Sequence, residues 1–457
     1  MNSRIVRNII ESQNDNLTAI TSESGSPLKF VDLKSLIERI SKQLSGNGIN
    51  NKDRAAIVLP NGPYMATSFL AISSYMSAAP LNPNYKSEEF EFYLEDLNSD
   101  YVLPGEDHEA LVLHTSGTTS RPKIVPLTNK NIFSSADNIS KSLNLTDKDH
   151  CLNIMPLFHI HGLIAVLAAS MKVGASVCAS SGFNALKFLD NAKREKITWY
   201  SGVPTMHQAI LMRAYKNLET AKQLNLRFLR SSSASLPPAV FEKLNEVFNC
   251  PVIEAYGMTE ATHQMTSNPL PPKSQKPGFV GIPAGPEVCI MDNNNKILSQ
   301  GEEGEVCIRG ENVTSGYENN PDANKNSFSD GWFRTGDQGY FDKDGYLKIS
   351  GRLKEIINKG GEKISPLEVD NILMDHPNIE QAVCFGYEDK MLGEDIATAI
   401  IIKEGMKCTE DDIKIYANEK LAKFKIPKKI FFVNEIPKGA TGKLQRNTLA
   451  KKFGLVN

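Results

Sequence analysis

The string Thr115-Ser116-Gly117-Thr118-Thr119-Ser120-Arg121-Pro122-Lys123 follows directly on the apolar run Ala110–His114. A strand that empties into a Gly/Ser/Thr-rich loop can turn backbone N–H groups and hydroxyls onto phosphate oxygens. Arg121 and Lys123 add positive charge. The spacing is not that of a Walker A loop, because GxxxxGK[ST] is absent. A surface loop of the same composition is the alternative. A second string, Glu254-Ala255-Tyr256-Gly257-Met258-Thr259-Glu260, follows the apolar Pro251-Val252-Ile253. Tyr256 offers a ring that can stack on a base. Thr259 and Glu260 offer oxygens to a phosphate and to a hard cation such as Mg²⁺. Otherwise this is plain turn chemistry after a strand.

A third pair of strings is Gly331-Trp332-Phe333-Arg334-Thr335-Gly336-Asp337 and Ser350-Gly351-Arg352. An Asp can accept from both hydroxyls of a ribose, and an Arg can assist it or reach a phosphate. A structural Asp–Arg ion pair is the alternative. The fourth pair is Gly360-Gly361-Glu362-Lys363-Ile364-Ser365-Pro366 and Pro437–Lys443. Lys443 sits in a Gly/Thr-rich turn, which can project it as a mobile point charge. It also belongs to a basic tail, nine Lys/Arg against one Glu from Leu421 to Asn457, where a lysine is ordinarily just solvated.

These strings need elements to hold them. Asp32–Leu44 and Met65–Met76 have helical spacing. Arg54–Leu59, Ala110–His114, Val173–Val177 and Val252–Glu254 read as short buried strands. Strands alternating with helices predict an α/β chain with a mostly parallel sheet. After Gly281 the texture turns β-rich, with strands at Val288–Met291 and Glu305–Arg309 and a turn at Asn293–Asn295. Asp342–Gly345 reads as a hairpin turn between Gly339–Phe341 and Tyr346–Ile349. A short α+β segment closes the chain, with strands near Gln381–Phe385 and Ile396–Ile402.

The 457 residues suit one large domain and a small one, and 40% hydrophobic with 23% charged residues is ordinary globular composition. A net charge of −2 argues against bulk binding of nucleic acid or an anionic membrane. The seven cysteines form no CxxC pair, which fits scattered reduced thiols. Neither a signal-peptide core nor a membrane-length apolar run is present, and the end Gly454-Leu455-Val456-Asn457 is not an SKL-type address. A cytoplasmic protein is the expectation.

In this combination and order, the four motifs resemble the adenylate-forming superfamily of acyl-CoA synthetases, adenylation domains and beetle luciferases, over nearly the whole chain. The resemblance implies a large N-terminal AMP-binding domain of mixed sheets and helices with a β-rich subdomain (1–351), a hinge (352–354) and a small mobile α+β domain (355–457). It implies ATP, Mg²⁺ and coenzyme A, and a monomer or homodimer. Thr115, Ser116, Gly117, Thr118, Thr119, Ser120 and Lys123 would hold the β- and γ-phosphates. Glu254, Ala255, Tyr256 and Gly257 would lie around the adenine, and Asp337 with Arg352 at the ribose. Glu260, with Thr118, would hold Mg²⁺ beside Thr259. Lys443 would contact the α-phosphate and the acyl carboxylate. The small domain would then rotate about Lys354, withdraw Lys443, and bring Gly360 and Gly361 to a pantetheine tunnel.

Three segments, Met155–Leu163, Arg230–Pro238 and Thr259–His263, look most like the oxalyl-CoA synthetase branch, a peroxisomal-type CoA synthetase group. That branch implies His159, Ser233, Ala234, Ser235 and His263 at the acyl pocket. Hydroxyls and an imidazole there can pair with a second carboxylate, whereas a long-chain acid needs an apolar tunnel. The expected activity is an AMP-forming acid–CoA ligase for a small acid, oxalate first. A ligase for a medium-chain, long-chain or aromatic acid is the alternative, as are a core histidine and turn-capping serines. The strand–helix–strand unit that the family carries between the Asn82–Tyr85 segment and the phosphate loop is missing near 101–108. A bared sheet edge is the expected cost, and a nucleotide-binding but catalytically impaired protein is a third reading.

Overall fold

The computed structural model describes residues 4–97, 107–115, 122–439 and 441–455. Its centre is a nine-stranded sheet in the order Ile282–Pro283, His263–Ser267, Val252–Met258, Phe228–Ser231, Trp199–Gly202, His150–Asn153, Ser176–Ala179, Thr18–Thr21, Leu28–Lys29. The pairings from Val252–Met258 through Thr18–Thr21 are parallel, and antiparallel strands close both ends. The inner strands are buried on both faces, as Phe228–Ser231 and Trp199–Gly202 show, which is why they read as continuous apolar runs. The third predicted strand is displaced. Gly174 adopts φ +75 and turns the chain, so pairing starts only at Ser176.

A second sheet orders Arg54–Ile57, Ser77–Pro80, Glu109–Thr115 and Lys123–Thr128. Ser77–Pro80 pairs parallel with Glu109–Thr115 at Ala78 and Leu111. The strands on either side of residues 81–108 are therefore neighbours in the sheet. Leu81, Leu97, Val112 and Ile124 form a core under it, covered by Tyr85, Phe90 and Tyr93. Arg54 is a clamp, reaching both Glu109 and Glu318. Residues 98–106, which take in most of the expected gap near 101–108, lie outside the described residues.

The β-rich part is a five-stranded sheet of Glu287–Met291, Gly304–Arg309, Trp332–Phe341, Phe328–Ser329 and Leu347–Arg352. A final five-stranded sheet contains Glu362–Ile364, Ile357–Lys359, Gly393–Ile402, Ile379–Asp389 and Lys429–Phe432, with its own apolar core around Ile357, Val369, Leu373 and Ile400. The helices appear at Phe30–Gly46 and Pro63–Ser73, close to the predicted spans. Among the described residues no helix is long and apolar enough to cross a membrane.

Candidate active site

Asp337 and Arg352 sit directly opposite each other on paired antiparallel strands. Arg352 grips the carboxylate with both nitrogens, Nε to Oδ1 at 2.7 Å and Nη2 to Oδ2 at 3.2 Å. The neighbouring Asp337 charge holds the Arg352 guanidinium protonated well above its usual range. The Tyr256 hydroxyl donates to Asp337 Oδ2 at 2.5 Å. Thus two motifs that stand 81 residues apart meet at one carboxylate. Burial, then the charge of Asp337, pushes the Tyr256 phenol far up, so it stays a donor. Gly257 must be glycine here: a Cβ would lie 1.9 Å from the His263 carbonyl oxygen. Glu254 and Ala255 are buried in the strand. The Glu254 Oε1 accepts from the Leu236 N–H at 2.9 Å, and burial raises its carboxyl to about 8. Its side chain therefore braces the strand.

Glu260 is buried in a short 3₁₀ turn, Thr259–Ala261, with Thr259 half-buried beside it. Tyr317 donates its hydroxyl to Glu260 Oε1 at 2.8 Å, and the Lys123 ammonium stands 4.0 Å above the Tyr317 ring. Burial lowers the Lys123 pKa, Glu260 opposes that, and Lys354 adds to it. Lys123, Glu260 and Lys354 therefore share one electrostatic neighbourhood. Thr115 pairs with Lys123 at the base of the hairpin. Ser116, Gly117, Thr118, Thr119, Ser120 and Arg121 lie outside the described residues. Among the described residues no three His, Cys, Asp or Glu side chains group as a metal site. A lone carboxylate with hydroxyls nearby suits Mg²⁺, which keeps waters and takes nucleotide phosphates as its other ligands.

Tyr317 was not picked out by sequence reasoning, since an isolated Tyr in a Gly-Tyr-Glu-Asn loop carries no pattern. Replacing it by Phe keeps the ring beneath Lys123 and removes only the bond that orients Glu260. The expected result is a several-fold weaker response to Mn²⁺ or Mg²⁺, consistent with about 1 kcal/mol for such a bond. Unchanged Mn²⁺ affinity by electron paramagnetic resonance would show that Glu260 needs no such support.

Lys443 projects from a small hairpin in which Gly439 N–H donates to the Lys443 carbonyl and Gln445 N–H to the Pro437 carbonyl. Burial lowers its pKa to about 8; Arg352 adds to the shift, and Asp337 and Glu260 oppose it. The lysine thus enters the space between the ribose-side and metal-side groups. His159, depressed to about 3 by burial and by Lys443, marks the same end. Lys354 lies exposed in the connection between the two bodies. Gly360 and Gly361, at φ +59 and +97, form an exposed turn on the small body, with Gly360 N–H bonded to the Leu392 carbonyl.

Beside Lys443 lies a buried polar cluster that the sequence only half revealed. His161 opens a π-helical segment, His161–Ala168, a bulged helix type frequent at functional sites. Its Nε2 meets Ser201 Oγ at 2.7 Å and its Nδ1 meets Ser233 Oγ at 3.0 Å. The His263 ring stacks obliquely on it at 4.9 Å. Arg230, fully buried, reaches Gln264 Oε1 at 3.2 Å, Ser201 Oγ at 3.4 Å and His263 Nδ1 at 3.5 Å. Among the described residues no carboxylate is hydrogen-bonded to it. Burial lowers Arg230 to about 9 and drives both His161 and His263 far down, as neutral imidazoles. Arg230 Nε and His263 Nε2 are buried without a hydrogen-bond partner. Ser233, Thr262 and His263 all hold positive φ (+73, +49, +96), a conformation costly for side-chain-bearing residues. Ala234 is exposed and Ser235 half-buried, beside the cluster. Arg230, His161, Ser201 and Gln264 were missed as site residues. The available signal was an arginine inside the otherwise buried run Phe228-Leu229-Arg230-Ser231.

Asp337, Arg352 and Glu260 all act electrostatically on Lys443, and the fold that gathers them is that of the adenylate-forming enzymes. The chain belongs to the AMP-binding enzyme family: that family matches residues 9–109 and 102–318, and the AMP-binding enzyme C-terminal domain matches 368–443. It is an AMP-forming acid–thiol ligase that uses ATP and coenzyme A. It is 45% identical to an oxalate–CoA ligase of Arabidopsis thaliana, with 93% of each chain covered. It is 40% identical to an oxalate–CoA ligase of Saccharomyces cerevisiae, covering 97% of this chain and 95% of that one. Among solved structures, ATP-bound MatB from Rhodopseudomonas palustris matches with TM-score 0.92 at 25% identity over 99% of both chains; the apo form of MatB scores 0.81.

Proposed function

We propose that the acid is oxalate. The carrying observation is Arg230, a buried guanidinium that among the described residues has no carboxylate in its bonds and an unpartnered Nε. A charge in that position is costly unless an anion completes it. A dicarboxylate of minimal length would place one carboxylate on Arg230 and the two histidines and offer the other to Lys443. The oxalate specificity named for the Arabidopsis and yeast relatives supports this.

The chemistry follows from the groups present. A carboxylate is a poor electrophile because its leaving group would be oxide. Oxalate oxygen attacks the α-phosphorus of ATP, the bond to the β-phosphate oxygen breaks, and pyrophosphate leaves. Lys443 faces the charge that builds on the α-phosphate, and Lys123 the departing pyrophosphate. Asp337, Arg352 and Tyr256 hold the ribose and base. Mg²⁺, held at Glu260 with Thr118 and Thr259 near, would neutralise phosphate charge. The small body then turns about Lys354. The thiol of coenzyme A attacks the acyl carbon, AMP departs, and the thiol proton is released. We read 1–351, 352–354 and 355–457 as the domain, hinge and mobile domain of that cycle. The family match splits into two segments that overlap at 102–109, which supports a missing unit there, and the directly paired strands beside it support a competent fold.

The test is a panel of acids in ATP–pyrophosphate exchange, with and without coenzyme A. Oxalate is expected to lead acetate by at least about a hundredfold, because a site built for a polar group rejects the analogue lacking it. Octanoate or a cinnamate ahead of oxalate would overturn the assignment.

A further inference from the structure

The hairpin that carries Lys443 is held against the large body at a defined seat. Its turn residue Gly442 has φ +81, and its N–H bonds back to the Gly439 carbonyl. With the bridge between Lys438 and Leu444, the hairpin is braced from within. A Cβ on Gly442 would meet Val203 Cγ2 at 3.2 Å, Thr205 Oγ1 at 3.5 Å and Met206 Cε at 3.6 Å. The turn therefore lies flush on the start of the helix Pro204–Tyr215. There the Thr205 hydroxyl donates to the Gly442 carbonyl at 2.8 Å, across 237 residues of sequence. Val203 is buried, and its carbonyl accepts from Met206 and His207 N–H groups, so the seat is rigid.

We infer that Thr205 is a positioning residue: its bond to Gly442 latches the small domain in the arrangement that makes the acyl adenylate. It acts on Lys443 through the carbonyl of the residue before it. A braced hairpin pinned at one rigid point delivers its lysine in one pose, and a bond made in this arrangement favours it over any arrangement that lacks the bond. The inference rests on the role proposed above for Lys443. Loss of the hydroxyl therefore costs the first half-reaction and leaves the second untouched, or relieves it.

The experiment compares Thr205→Val, Thr205→Ser and Gly442→Ala in two single-turnover assays: acyl-adenylate formation from ATP and oxalate, and thioester formation from synthetic oxalyl adenylate and coenzyme A. Thr205→Val is expected to slow adenylation about three- to tenfold, the range one hydrogen bond commands, with thioester formation unchanged or faster. Thr205→Ser keeps the donor and should stay near wild type. Gly442→Ala, strained and displaced from the seat, should show the same split more strongly. Thioester formation doubles as the check that each variant is folded. Equal loss in both half-reactions, or no loss in either, overturns the latch. Lys443→Ala run alongside separates the two levels: if it spares adenylation, the lysine's role itself falls. If it abolishes adenylation while Thr205→Val does nothing, only the latch falls.

Discussion

An Arg230→Met variant is expected to lose oxalate-dependent pyrophosphate exchange by about 10²- to 10³-fold while its Tm holds or rises. Both halves follow from the same burial. In the complex, removing one partner of a buried ion pair costs about 3–5 kcal/mol, because the remaining charge is left unpaired. In the free protein the guanidinium's hydrogen-bond partners among the described residues are neutral: Ser201, His263 and Gln264. Burial depresses its pKa to about 9. For a base whose folded pKa lies below its unfolded one, folding disfavours the charged form. That penalty is complete at neutral pH and is relieved only as pH rises from about 9 toward the unfolded value. Methionine of similar volume removes it. Differential scanning calorimetry and the acid panel measure the two effects separately. Retained oxalate preference would show that Arg230 is not the anion's partner. A Tm fall of several degrees would show that its hydrogen bonds outweigh its desolvation.

Lys443→Ala should lower acyl-adenylate formation by about 10²- to 10³-fold, the scale for deleting one preorganised donor at a developing charge. Thioester formation from supplied oxalyl adenylate should survive. The pH profile carries an independent signature. Lys443 in the free protein is depressed to about 8, chiefly by burial. The charged form is the working one, so kcat/KM for ATP should fall as pH rises through about 8, since that parameter reports free-enzyme groups. Lys443→Arg, whose guanidinium stays protonated, should move that limb upward even where the rate is lower. A profile flat to pH 9.5 in wild type, or equal loss of both half-reactions in Lys443→Ala, would remove Lys443 from the adenylation step.

How far the site was legible depends on what each residue pairs with. Asp337, Arg352, Tyr256, Glu260 and Lys443 stood in short strings whose residue types announced phosphate, ribose or metal chemistry. Ambiguity about Asp337 and Arg352 dissolved in an unexpected way: they form the ion pair of the structural alternative, and Tyr256 joins the same carboxylate. His263 was legible as an acyl-pocket candidate, but its neighbours were not. Arg230 and His161 approach it from another strand and from a π-helical turn, and no local spacing encodes that. Tyr317 braces Glu260 from 57 residues away. Thr205, second residue of the helix Pro204–Tyr215, belongs to none of the motifs.

The order of the motifs and the alternation of strands and helices were already determined by the sequence, because loop chemistry and hydrophobic period are local properties. So were the ligase chemistry and the family. Only the tertiary structure decided which cations end without counter-ions. Charge balance in a buried site is a sum over segments that the fold brings together, and Arg230 is unmatched only once its partners among the described residues are known to be Ser201, His263 and Gln264. The tertiary structure alone also showed where the hairpin of Lys443 docks, because the bond from Thr205 to Gly442 spans 237 residues of sequence.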